Sequence, residues 1–288
     1  MSLIFSLLGY RNRWRLSERL ASPYISATAP IVIGGCGSSG TTLVRRMLNR
    51  HPVIFCGPES TVFLERVTGP TELAARTGFK AAEIEAWQRE SRCQAEFIDW
   101  FQAACLARSG KSIWADKTPE NIRRLEFVWR HFPRAHFIHV IRDGRDVACS
   151  LRRQSWMKAE DRASDDSIGR CAAYWVERVS IRRSFAGDPR YTELRYEDLV
   201  RNPAVTLRRL LGFLELDWSE RVLGPEEDER DDPAAGPAFT SSVGRWQREL
   251  TASEIAIVEG VAGRLLAELG YATGTADASA RVDANAGN

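Results

Sequence analysis

Short apolar runs alternate with stretches of helical periodicity along most of this chain, and each run stops at glycine or polar residues. IVIGG at 31–35, directly after Pro30, is compact and β-branched, the pattern of a buried parallel strand. TTLVRRMLNR at 41–50 has the polar start and spacing of a helix. VIFCG at 53–57 predicts a second strand, and a long, mainly helical region follows from Ala81 to Arg108, where Trp87, Phe97, Trp100 and Phe101 suit a packed core face. Residues 112–115 predict a third strand, with Pro119 in the first turn of the helix ENIRRLEFVWRHF. HFIHVI at 136–141 repeats the step: strand, charged turn through Asp143 and Gly144, helix onward through Ser150. Further helix signals run from Ile168 to Phe185, a strand from 191 to 195, a short helical turn, then a helix opened by Asn202-Pro203 and a last one over TASEIAIVEGVAGRLLAELGY. This alternation implies an α/β protein with a parallel sheet.

Composition narrows the picture. With 288 residues, 44% hydrophobic and 27% charged, the chain suits one large domain at 30–271, preceded by an N-terminal extension (1–29) and followed by a disordered tail (272–288). No apolar run approaches the roughly 20 residues of a membrane-spanning helix, and the apolar start MSLIFSLLGY precedes its basic residues, the reverse of a secretory signal. A net charge of +2 gives no footprint for nucleic acid. The proline-rich acidic segment at 224–238 reads as a solvated loop. Six cysteines without a C-x-x-C pair read as reduced thiols of a cytoplasmic protein, and the four histidines show no ligand spacing, so no metal is expected. Only Lys80, Lys111, Lys117 and Lys158 are lysines against a large arginine excess, which gives each lysine's position weight.

The candidate chemistry lies on loops after strands, where parallel sheets place their ligands. From Gly35 the chain reads G-C-G-S-S-G-T-T, the frame of a phosphate loop with Thr41 where the lysine belongs. Backbone N–H groups from Gly37 to Thr42 and the hydroxyls of Ser39, Thr41 and Thr42 can converge on one anion at a helix N-terminus; a tight structural turn is the plainer alternative. Arg142 and Ser150, eight residues apart, can bring a guanidinium fork and a helical hydroxyl to a second anion. Two such sites describe a ligand with two separated phosphate groups. A kinase fits less well, because the loop lysine and a clear Walker B carboxylate are missing.

GSSGTTLVRRMLNRHP, CGPES, ADKTP, HVIRDGRDVACS, LRYEDLVRNP and SSVGRW stand in that order between about Ile31 and Trp246. In this the chain resembles the sulfotransferases that use 3′-phosphoadenosine 5′-phosphosulfate (PAPS), with motifs similar to the tyrosylprotein enzymes and their bacterial relatives. The resemblance implies a P-loop-like three-layer sandwich, its central parallel sheet flanked by helices. It also implies transfer of a sulfuryl group from PAPS to a hydroxyl, with a tyrosine of a protein or peptide as acceptor, no metal, and a homodimer as the candidate assembly. Residue by residue, it implies that Ser38, Ser39, Gly40, Thr41 and Thr42 hold the 5′-phosphosulfate and that Arg142 and Ser150 hold the 3′-phosphate. Tyr196 would lie near the adenine. Gly244–Trp246 would be the late nucleotide-closing loop, with Arg245 a second 3′-phosphate ligand and Ser241 or Ser242 a donor to the sulfuryl group. Glu59 falls at the general base and Lys117 at the active-site lysine.

Two positions depart from that pattern. Ser38 stands where the family usually carries lysine or arginine, and Gly37 where it carries proline. Thr61 and Glu65, with Arg66 only adjacent, occupy positions where the tyrosylprotein enzymes keep arginines for acidic peptides. The alternatives are therefore a carbohydrate or small-molecule hydroxyl as acceptor, or a nucleotide-binding protein without transferase activity.

Overall fold

The computed structural model describes residues 24–154, 157, 167–224 and 242–272. Its strands are β1 (Ile31–Gly35), β2 (Ile54–Cys56), β3 (Ile113–Lys117), β4 (His136–Ile141) and β5 (Tyr191–Arg195). All pair in parallel, in the order β2-β3-β1-β4-β5. The helices are α1 (Thr41–Asn49), α2 (Pro70–Thr77), α3 (Ala81–Glu90), α4 (Gln94–Ser109), α5 (Leu125–His131), α6 (Gly144–Leu151), α7 (Ser167–Ser180), α8 (Tyr196–Arg201), α9 (Pro203–Phe213), α10 (Trp246–Glu249) and α11 (Ala252–Glu268). The expected central parallel sheet between helical layers is what forms.

Alternation along the strands separates the layers. Val32, Trp114 and Phe137 face a core shared with α2 to α5, through Leu73, Ile84, Phe97, Phe101 and Val128. Ile31, Ile33, Ala115, Ile138 and Val140 face the other way, onto Val44 and Leu48 of α1 and onto Leu207, Leu210 and Leu211 of α9. A third cluster joins α6, α7 and α11 around Trp175, Cys171 and Leu266. Phe97 and Phe101 are core residues with Trp87 packed against them, as the pattern predicts, whereas Trp100 is only half-buried. All six cysteines are buried free thiols.

The differences from the sequence reading are local. The helical region expected from Ala81 to Arg108 is broken at Ser91–Cys93, where Ser91 and Cys93 are extended and the Arg92 amide donates to the Glu96 carboxylate 2.7 Å away. Gly69-Pro70 opens an additional helix, α2, because proline at the first position is pre-set for the helical φ. The segment after Pro119 makes a 3₁₀ turn to Arg124 before becoming α-helical. Within the expected N-terminal extension, residues 1–23 lie outside the described residues; Tyr24, Ser26 and Thr28 bond to Asp99 of α4 at 2.6 to 3.1 Å. The acidic segment from 225 onward and the tail after residue 272 also lie outside. No helix among the described residues is long and apolar enough to cross a membrane.

The chain leaves β1 by way of β2 and β3 on one side and returns to β4 and β5 on the other. The carboxyl ends of β3, β1 and β4 therefore flank the point where the winding reverses, the place where a parallel sheet opens a crevice.

Candidate active site

The glycine loop fills that crevice. Gly35 passes so close to β4 that an added Cβ would lie 2.4 Å from the Val140 carbonyl oxygen. Gly40 has φ +94, in the left-handed region, and a Cβ there would stand 2.3 Å from the Tyr196 ring. Close approach and handedness thus both require glycine at 40. Gly40→Ala is expected to destabilise the fold by more than about 1 kcal/mol, lowering Tm by more than roughly 2–4 °C. A thermal melt checks this, and an unchanged Tm would mean that the Tyr196 ring moves freely.

Ser38 also has a left-handed backbone, φ +67, unusual for a residue with a side chain. Its carbonyl accepts from Arg142 at 3.3 Å. The Ser39 hydroxyl is fully buried and has no hydrogen-bond partner among the described residues. Burial keeps the Cys36 thiol pushed well up, so it adds no negative charge beside a loop built for anions. The segment 36–42 contains no basic residue, so any cation comes from outside it.

Two cations reach it. Lys117, at the end of β3, is only 7% exposed; its ammonium donates to Glu59 Oε2 at 2.9 Å and to the Thr42 hydroxyl at 3.5 Å. Glu59 is 38% exposed, so the carboxylate held by the buried lysine stays open to solvent. Arg142, at the end of β4, lies over the Tyr196 ring with its guanidinium 4.5 Å from the centroid. It also donates to the Ser242 carbonyl and pairs with Asp146 at 3.6 Å, while its Nε has no partner among the described residues. Tyr196 and Ser242 share a hydroxyl–hydroxyl bond of 3.0 Å.

Structural residues absent from the sequence-based candidate set hold these groups. Asp146 accepts from the amides of Gly244 and Trp246 at 2.8 and 3.0 Å, fixing the late loop against α6; burial raises its carboxyl, and those amides with Arg142 oppose the rise. Trp175 donates to the Arg142 carbonyl at 3.0 Å. Asp116, fully buried beside Lys117, accepts from the Ser60 hydroxyl and from Asn121 at 2.8 Å. Burial likewise raises its carboxyl above the ordinary range. A second aspartate in R-D-G-R-D was the available signal for Asp146, and the aspartate of A-D-K-T-P for Asp116.

Of the candidate residues, the structure therefore brings together the loop 38–42, Glu59, Lys117, Arg142, Tyr196 and Ser242. Ser241 lies outside the described residues. Ser150 sits in the last turn of α6, and no hydrogen bond joins it to Arg142 among the described residues. Arg245 turns toward Glu249, 3.7 Å from Nε, and that Nε is buried without a hydrogen-bond partner among the described residues. Thr61 is buried and shares a 2.6 Å bond with Thr68, and Glu65 pairs with Arg124 at 3.4 Å. No cluster of metal-ligating side chains occurs among the described residues.

Comparison with known proteins finds relatives of the chain and of its fold. The chain is 28% identical over 221 residues to protein-tyrosine sulfotransferase 1 of Danio rerio, covering 74% of this chain and 61% of the relative, so it spans about three fifths of that protein's length. The sulfotransferase domain from the Synechococcus PCC 7002 olefin synthase superposes with a TM-score of 0.63 at 20% identity, covering 84% of this chain and 97% of that domain. A mouse sulfotransferase complexed with PAP superposes at 0.51 with 12% identity, covering 92% and 95%. A sulfotransferase family model matches residues 30–220, which contain the glycine loop, the Glu59–Lys117 pair, Arg142 and Tyr196. Since that match takes in most of the folded chain and the loops at its crevice, this protein belongs to the sulfotransferase family.

Proposed function

We propose that the protein transfers the sulfuryl group of PAPS to a hydroxyl, with a protein or peptide tyrosine as the first acceptor to test. The observation carrying this reading is the Glu59–Lys117–Thr42 chain: a solvent-open carboxylate, a buried ammonium and a loop hydroxyl in direct sequence at the crevice. The Ser39 hydroxyl, Arg142 Nε and Arg245 Nε, buried without hydrogen-bond partners among the described residues, fit a ligand bearing anionic groups at two places, as adenosine 3′,5′-bisphosphate (PAP) and PAPS do. The loop 38–42 would hold the 5′ end, Arg142 and Arg245 the 3′-phosphate, and Tyr196 the nucleoside side. Ser150, in the last turn of α6, remains the proposed second donor there. When bound, PAPS supplies an activated sulfuryl group.

The remaining chemistry belongs to the chain. Glu59 takes the acceptor's proton as the acceptor oxygen bonds to sulfur and the bond from sulfur to the 5′-phosphate oxygen breaks. A phenol, with a pKa of about 10, needs such a base at neutral pH. Lys117 and the Thr42 hydroxyl meet the negative charge left on the departing phosphate, in a site where low exposure makes charge stabilisation effective. The six free thiols support the cytoplasm as the proposed location.

Incubation with labelled PAPS and a panel of tyrosine peptides, carbohydrates and phenols tests the assignment, and no transfer to any of them, with PAP still bound, would favour a nucleotide-binding protein without activity. Transfer to carbohydrate or a small hydroxyl compound is the second reading. It is favoured by Thr61 being buried and Glu65 being anionic where arginines would grip an acidic peptide. Arg142→Ala is expected to weaken binding of PAP by about 10- to 100-fold, the worth of a charged hydrogen-bonding group. Adenosine 5′-monophosphate, without the 3′ group, should lose far less; equal losses by calorimetry would remove Arg142 from that role.

A further inference from the structure

The loop that carries Glu59 borders a cavity. Gly57, Pro58 and Ser60 roof a cavity of about 260 Å³ whose walls include Phe55, Phe101 and Trp114. Val62 and Phe63 anchor the end of this loop in the core, and Arg76 holds the Glu59 carbonyl at 3.2 Å. Two further hydrogen bonds tie the stretch beside the cavity to β3 and the loop after it. Ser60 donates its hydroxyl to Asp116 Oδ1, and the Thr61 amide donates to the Thr118 hydroxyl at 3.2 Å. Thr61 itself has φ +59, a conformation that persists only where its surroundings hold it.

Asp116 is suited to set a position because it touches three parts of the site at once. It precedes Lys117 on β3; its Oδ1 takes Ser60, next to Glu59; and its Oδ2 takes Asn121 Nδ2, which also donates at 3.2 Å to the Ile33 carbonyl of β1, the strand leading into the glycine loop. Alternation along β3 points Asp116 and Lys117 to opposite faces. One residue thus anchors the base loop from below while its neighbour meets the base from above.

We propose that Asp116, through Ser60, is a positioning residue that registers Glu59 against Lys117 and the glycine loop. It makes no contact with the reacting atoms. The proposal rests on the reading of Glu59 as the base. A base displaced by about 1 Å can cost up to about 10²-fold in rate, so a loop released from Asp116 loses rate without losing the nucleotide.

The test uses the full chain, the best acceptor found with labelled PAPS, and the variants Ser60→Ala, Ser60→Thr, Asp116→Asn and Glu59→Gln. Ser60→Ala is expected to lower kcat by roughly 10- to 100-fold while PAP affinity stays within about twofold, and Ser60→Thr, which keeps the hydroxyl, to recover much of the rate. Because Ser60 acts through Glu59, the double variant Ser60→Ala, Glu59→Gln should be no slower than Glu59→Gln alone. Multiplying losses, or a parallel fall in PAP affinity and Tm, would make the network merely structural and overturn the proposal. Should Asp116→Asn fail to fold, the Ser60 variants decide. If Glu59→Gln retains full rate, the base assignment itself falls, a result distinct from additivity.

Discussion

Glu59→Gln is expected to reduce sulfuryl transfer by roughly 10²- to 10⁴-fold, the usual worth of a positioned general base, with PAP affinity nearly unchanged. The amide fills the same space but cannot take a proton. The carboxylate it replaces is the exposed end of the Glu59–Lys117 pair and bonds to Lys117, while Arg76 holds only the Glu59 backbone carbonyl, which the substitution keeps. Nucleotide binding should therefore survive. Transfer of label from PAPS measures the first quantity and calorimetry with PAP the second. A variant that transfers at the wild-type rate would remove Glu59 from the reaction.

Lys117→Ala is expected to lower kcat by roughly 10²- to 10³-fold, the loss found when one preorganised donor to a developing charge is removed. Here the effect has two sources. The loop 36–42 has no basic residue of its own, so the ammonium touching Thr42 is a main cation on the reacting side. The same ammonium also holds Glu59, and its removal leaves the base without that partner. Lys117→Ala should accordingly be nearly as slow as the double variant Lys117→Ala, Glu59→Gln. A single-turnover assay on both checks it; a Lys117→Ala enzyme within about threefold of wild type would contradict the charge-stabilising role, since one good donor is worth far more than that.

Much of the fold is legible because it is local. The strand 31–35 lies where its compact apolar run places it, buried along its whole length, and 136–141 follows the same pattern with only His139 polar inside it, whereas 191–195, YTELR, is half-buried at the sheet edge and keeps polar positions. The break at Ser91–Cys93 is not legible, because no glycine or proline marks it; the chain turns there through an extended Cys93 and a backbone bond to Glu96. The glycine loop was legible down to single residues, although the reason for Gly40, a tyrosine ring of α8 against it, was not. For Ser150 and Arg245 the sequence supplies only the residue type. A hydroxyl and a guanidinium suit an anion, but only the tertiary contacts place Ser150 in the last turn of α6 and Arg245 beside Glu249.

The sequence by itself determined the strand and helix alternation, the glycine loop and the types of residue at its reactive positions, because each depends on sterics and periodicity over a few neighbours. Only the tertiary structure decided which of them meet. Glu59 and Lys117 are far apart in the chain, and become partners because β3 inserts between β1 and β2, bringing the ends of β2 and β3 side by side. The same insertion puts Asp116 under the loop of Glu59. Strand order is set by how whole layers bury their apolar faces, and no local pattern encodes it.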